Sequence, residues 1–140
     1  MIHAMHNIVI GTKAEKRALV TAENAISFLG AEGPRVLATP NMIGLMERTC
    51  RDTVLPQLAP GYDTVGTHVD VYHLAAAPIG ATVNITAEIT AVVERRVEFR
   101  VEARDEKEKI GEGTHQRAIV NVAKFAARMA EKQASGLTAE

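Results

Sequence analysis

The sequence predicts an α+β fold: a long antiparallel sheet curled around one central helix. Two observations carry this. From residue 62 to residue 125, apolar and polar side chains alternate in four runs separated by short turns, the period of strands with one buried face. Upstream, only the segment from Pro40 to about Leu58 is long and apolar enough to be the helix that fills that face.

The elements follow in order. KRALVTAENAISFLG reads as a strand ending in a short irregular or helical piece, and Gly33 and Pro34 then mark a loop. Thr39-Pro40 is a helix start, threonine being a good N-cap and proline favoured at the first helical position. Pro56 and the Pro60-Gly61 pair end the helix. In TVGTHVDVYH, alternation places Val65, Thr67, Val69, Val71 and His73 on one face. After the AAAPIG turn, Val83, Ile85, Ala87, Ile89 and Val93 share a face. After Glu94-Arg95-Arg96, so do Val97, Phe99, Val101 and Ala103. IGEGTHQRAIVNVAKF is the last strand, with Ala118, Val120 and Val122 as its expected core side. The short connections make neighbours antiparallel. Long strands around one helix describe a hotdog-like architecture, with residues 1-125 as a single domain and 126-140 as a helical or disordered tail.

Composition bounds the function. Of 140 residues, 46% are apolar and 24% charged, with a net charge of −1, so there is no basic footprint for nucleic acid or an anionic membrane. No leader-like start and no apolar run of spanning length is present, so the expected location is the cytoplasm. The single cysteine, Cys50, precludes an intrachain disulfide and reads as a small buried hydrophobe. The five histidines lack H-x-x-x-H spacing, which argues against a metal hydrolase.

The candidate chemistry begins at Glu47. On a helical wheel it lies at the edge of the stripe formed by Met42, Ile43, Met46, Cys50 and Val54. An i,i+4 ion pair with Arg51 accounts for it without any function. Thr39 reads equally as an N-cap, and His73 as a hydrogen-bonded strand end. Gly44 in mid-helix suggests that something packs close one turn below Glu47. Taken together, a hydroxyl, a carboxylate and an imidazole are the parts of an acyl-transfer site, and Gly66 offers an unshielded backbone N–H as an oxyanion donor. Thr39 and Glu47 are eight residues apart, about 12 Å along an ideal helix. One carbonyl is reached by both only if the chain folds back at Thr39 or a second subunit supplies one of them, and the expectation is a homodimer with the site at the interface.

The motifs LATPNMIGLMERTC, TVGTHVDVYHLAAAPIG and IGEGTHQRAIV, in order over residues 13 to 125, resemble the fluoroacetyl-CoA thioesterase-like family of hotdog proteins. The resemblance implies hydrolysis of a small acyl-CoA to carboxylic acid and CoA, without a cofactor other than the CoA of the substrate. It implies Thr39, Glu47 and His73 as catalytic residues, with Gly66 and Arg117 on the substrate side. Arg117 and His115 read equally as a surface pair on a strand. The sequence departs from the family at Gly33, where the fluoroacetyl-selective member carries an aromatic residue, and at Pro40, where a glycine follows the threonine. The resemblance therefore carries thioesterase chemistry here without the fluoroacetyl specificity. The competing readings are a hotdog hydratase acting on enoyl or hydroxyacyl thioesters, and a non-catalytic acyl-CoA binding module.

Overall fold

A computed structural model describes residues 6–30 and 32–136 of the chain. Five strands, β1 (Lys13–Leu19), β2 (Tyr62–His73), β3 (Thr82–Val93), β4 (Arg96–Arg104) and β5 (Lys109–Asn121), form one antiparallel sheet in the order β1-β3-β4-β5-β2. The helix α1 (Thr39–Val54) is packed against the sheet, and α2 (Val122–Ala134) follows β5. The buried stripe of α1 (Met42, Leu45, Met46, Cys50, Val54) meets Val83, Ile85, Ala87 and Ile89 of β3 and Val97, Phe99, Val101 and Ala103 of β4. This is the hotdog architecture that the alternation predicts. Thr49 and Thr53 are buried on the same helix, and their hydroxyls donate to the carbonyls of Leu45 and Thr49 one turn back, at 2.7 and 2.6 Å.

Several local expectations are corrected. Ala38, not Thr39, is the N-cap; Thr39 is the first helical residue and no side chain caps the helix. The helix ends at Val54 and a 3-10 turn, Leu55–Gln57, follows. β3 has a register shift between Ile89 and Ala91, so the half-buried Val92 replaces the exposed Val93 on the inner side. β2 has a similar shift between Gly66 and His68, so the inward residues are Thr64 and Gly66 before it and Val71 and His73 after it. Strict alternation cannot foresee a bulge, which inserts one residue and reverses the faces beyond it. In β5 the inward residues are His115, Arg117 and Ile119, all buried, while Ala118 and Val120 are half-buried and Val122 is exposed. The two polar residues take the inner face because other elements supply their hydrogen-bond partners. Asn121 accepts the N–H of Lys124 at 3.1 Å and caps α2, so the helix begins at Val122 rather than beyond Phe125. The tail expectation for residues 137–140 lies outside the described residues.

The connection from β2 to β3 is not a hairpin, as the sheet order shows. Residues 74–81 carry the chain from one edge of the sheet to a strand three places away. They are fastened on the way: Leu74 N–H donates to Ile110 O at 2.7 Å, Leu37 N–H to Ala77 O at 2.8 Å and Ile79 N–H to Arg35 O at 3.1 Å. Because residues 35–37 lead directly into α1, this stitching brings the end of β2 to the start of the helix.

Candidate active site

That junction sets two predicted site residues side by side. Thr39, on the first turn of α1, places its Oγ1 2.7 Å from Nδ1 of His73, the last residue of β2. Thr39 is exposed, whereas His73 is half-buried and burial lowers its pKa below the ordinary histidine range, favouring the neutral ring. Its Nε2 is buried and has no hydrogen-bond partner among the described residues. The pair lines a recess of about 410 Å³ whose other walls are apolar.

Glu47 is two turns further along α1 and lies in a different, smaller recess of about 160 Å³ with Gly44, Arg48, Arg51 and Arg117. It does not pair with Arg51. That arginine forms a two-pronged ion pair with Asp63, at 2.9 and 2.6 Å, which holds the Asp63 carboxyl below the usual range. Oε2 of Glu47 instead lies 3.5 Å from Nη1 of Arg117 and 3.8 Å from Nε2 of His115, and its side chain is 41% exposed. Among the described residues only the side chain of Arg48, on its own helix, lies beside Gly44, so the close packing its position suggested is not found there.

Arg117 and His115 are buried, at 6% and 2% exposure, and are not a surface pair. The guanidinium donates from Nε to Thr64 Oγ1 at 2.7 Å and from Nη2 to Thr64 O at 2.9 Å. Nδ1 of His115 donates to the carbonyl of His68 at 2.8 Å, which leaves Nε2 as the acceptor for Arg117 Nη1 at 3.2 Å. Burial holds His115 below the ordinary histidine range, so it is a neutral acceptor. Each of the three guanidinium nitrogens is thus engaged, and one Nη1 direction is held toward Glu47. Gly66 completes the seat: a Cβ there would collide with Glu47 Oε2 and lie 3.2 Å from His115 Cε1 and 3.5 Å from Arg117 Nη1. Its place in the site is explained by this close approach of a carboxylate. The sequence signal for His115 was its i,i+2 spacing from Arg117, which puts both on one strand face. Cys50 is fully buried, and burial pushes its thiol up to about 12, so it is an inert core residue. Among the described residues no three His, Cys, Asp or Glu side chains gather as a metal set, and no helix is long and apolar enough to cross a membrane.

A hydroxyl and an imidazole at the mouth of an apolar recess, on a hotdog fold, are groups suited to chemistry on an acyl thioester. The family described as fluoroacetyl-CoA-specific thioesterase matches residues 20–123, and the chain belongs to that family. It is 45% identical over 106 residues to the fluoroacetyl-CoA thioesterase of Streptantibioticus cattleyicolor, covering 76% of each chain. The solved structure of the fluoroacetyl-CoA thioesterase FlK superposes with a TM-score of 0.81 at 38% identity, over 89% of this chain and 97% of that one. A hypothetical protein of Thermus thermophilus described as a thioesterase superfamily member gives 0.82 at 33% identity, over 92% and 98%. The chain is accordingly a thioester hydrolase.

Proposed function

We propose that the chain hydrolyses an acyl-CoA thioester to a carboxylic acid and free CoA, as a homodimer in which Thr39 and His73 of one copy act with Glu47 of the other. The observation that carries this is the 2.7 Å contact between Thr39 and His73 at the apolar recess, with Glu47 held apart by Gly66 and Arg117. A FlK variant has been solved with fluoroacetate and CoA, which supports a CoA ester as substrate. The reading needs no cofactor beyond that CoA, and it retains the cytoplasm as the place of action.

Strand physics supports the dimer. β2 is an edge strand of 12 residues with no lysine, arginine or proline, so its guards against pairing are limited to Asp63, Asp70 and the bulge after Gly66. The other edge, β1, is shorter and carries Lys13, Lys16 and Arg17. Val69 and Tyr72 on β2 are 43% and 65% exposed. Within one copy, Gly66, against which the Glu47 carboxylate sits, is seven residues from His73, roughly 24 Å of strand. If two β2 edges pair antiparallel about a twofold axis between Val69 and Asp70, Gly66 of one copy falls opposite His73 of the other. Each Glu47 carboxylate then approaches a Thr39–His73 pair, and two equivalent sites result.

The orphaned Nε2 bears on roles. If Thr39 donates to Nδ1, the ring proton sits on Nε2, which has no acceptor among the described residues of its own copy, and in the dimer the approaching Glu47 carboxylate would be the acceptor. The other tautomer donates Nδ1–H to Thr39 Oγ1 and frees the hydroxyl hydrogen for the carbonyl oxygen of the thioester. Thr39 then stabilises the oxyanion, and Glu47 either attacks the carbonyl carbon or activates a water that does. The C–S bond breaks and CoA leaves as a thiolate that takes up a proton; on the covalent route a water then opens the acyl-Glu47 anhydride, releasing the carboxylic acid and restoring the Glu47 carboxylate. Thiol release from a set of acyl-CoA esters tests the reaction: Glu47→Gln and His73→Ala lower kcat by orders of magnitude in folded protein, and wild-type turnover in either removes that residue from the mechanism. Single turnover in heavy-oxygen water separates the two routes, since label enters the protein carboxylate only if Glu47 is acylated. A hydratase would instead change enoyl absorbance without releasing thiol, and a binding module would be stabilised by ligand without turnover.

A further inference from the structure

The recess that holds Thr39 and His73 has a chemical character of its own. Ile26, Phe28, Val36, Leu74, Ala75 and Ala76 line it, and it is an open recess of about 410 Å³ rather than an enclosed cavity. A two-carbon acyl group would leave most of that apolar wall wet. A larger recess of about 650 Å³ lies at the β3–β4 turn, but its walls include Glu94, Arg95 and Arg96 and it contains no hydroxyl-imidazole pair. Phe28 is 80% exposed and Leu74 51%, in a protein with only three phenylalanines. Large apolar side chains left open in the single chain mark a surface that a ligand or the second copy covers, and Phe28, which is not on the β2 edge, is the one assigned to the ligand.

The loop before α1 is built around this arrangement. A Cβ on Gly33 would collide with the backbone carbonyl of Leu29, so this loop conformation admits no side chain at residue 33. Arg35 fixes the loop from the other side, donating from Nε to Ile26 O at 3.0 Å and from Nη2 to Ala22 O at 2.9 Å. The aromatic ring comes instead from Phe28 in the same loop, on the wall of the recess.

We propose that Phe28 is a specificity-determining residue, and that the acyl group of the substrate is apolar and larger than two carbons: a longer aliphatic, branched or aryl chain. The inference rests on the proposed thioester hydrolysis at Thr39 and His73, and it names the substrate class of that same site. Its test is a comparison of acetyl-, butyryl-, isovaleryl-, hexanoyl- and phenylacetyl-CoA by thiol release, for wild type, Phe28→Ala and Phe28→Leu. In wild type, kcat/KM rises about fourfold for each added methylene that reaches the wall. Phe28→Ala lowers kcat/KM for the larger esters by at least tenfold more than for acetyl-CoA, and Phe28→Leu restores part of the loss. A second arm does not depend on turnover: the non-hydrolysable thioether hexyl-CoA raises Tm in wild type more than ethyl-CoA does, and Phe28→Ala abolishes the difference. Thiol release that is fastest for acetyl-CoA, or a Phe28→Ala effect equal for every ester, overturns the inference while leaving hydrolysis standing. Absence of thiol release from any ester defeats the hydrolase reading instead. In that case the thioether arm alone decides on the recess, and equal shifts for hexyl- and ethyl-CoA reject it.

Discussion

Gly66→Ala is the smallest change that disturbs the seat of Glu47. The φ of Gly66 is outside the left-handed region, so alanine is permitted by the backbone. The added Cβ nonetheless collides with Glu47 Oε2, and the carboxylate must retreat by about 1 Å to regain van der Waals separation. Retreat is easy, because the carboxylate is the free end of a flexible side chain that is 41% exposed. Stability should therefore change little, the 3.2 Å approach to the buried His115 ring adding only a small loss. A reacting group displaced by about 1 Å costs on the order of 100-fold in rate, equivalent to about 2.7 kcal/mol in the barrier. The assay is steady-state thiol release from the preferred acyl-CoA, with Tm in parallel. The expected result is kcat down about 100-fold at nearly unchanged KM and Tm. Full kcat in a folded Gly66→Ala protein would show that the position of the Glu47 carboxylate beside Gly66 has no bearing on the chemistry.

Other outcomes follow from the same contacts. Arg117→Lys cannot reproduce donation to Thr64 Oγ1, Thr64 O and His115 at once, so urea unfolding should show a loss of roughly 1.5–3 kcal/mol together with a lower kcat. Burial lowers the pKa of both His73 and His115, so as pH falls through about 6.5 the unfolded chain takes up protons first. Stability is therefore full above that pH and declines below it; the urea midpoint against pH measures this, and His115→Gln should flatten the decline. Cys50 should resist a thiol reagent in the native protein and react fully in denaturant, given its burial and its thiol pushed up to about 12.

The fold was legible because each strand from β2 to β5 alternates and only one segment is apolar at helical period. Val97, Phe99, Val101 and Ala103 of β4 are all buried as that alternation requires. The errors gather where the chain departs from ideal period. The bulge after Gly66 reverses the face of β2, and the one after Ile89 exposes Val93. The inner face of β5 was misread because His115 and Arg117 look solvent-directed until Thr64, His68 and Glu47 are seen to satisfy them. At the site, Thr39 and His73 were recognisable by type, but their adjacency depends on the crossing segment 74–81, whose hydrogen bonds are long-range. No spacing in the sequence separates a glycine that donates an N–H from one that makes room for a carboxylate. Phe28 was not singled out, because nothing local distinguishes a recess-lining phenylalanine from any loop aromatic.

The central claim is that thioester cleavage joins the Thr39–His73 pair of one copy to Glu47 of another, and a mixing experiment tests it most directly. Glu47→Gln and Thr39→Ala proteins, each inactive alone, are unfolded together, refolded as an equimolar mixture and assayed for thiol release. Half the dimers are then mixed, and each mixed dimer holds one intact site of two. Activity should return to about 25% of wild type. A refolded, dimeric mixture as inactive as its components would contradict the shared site.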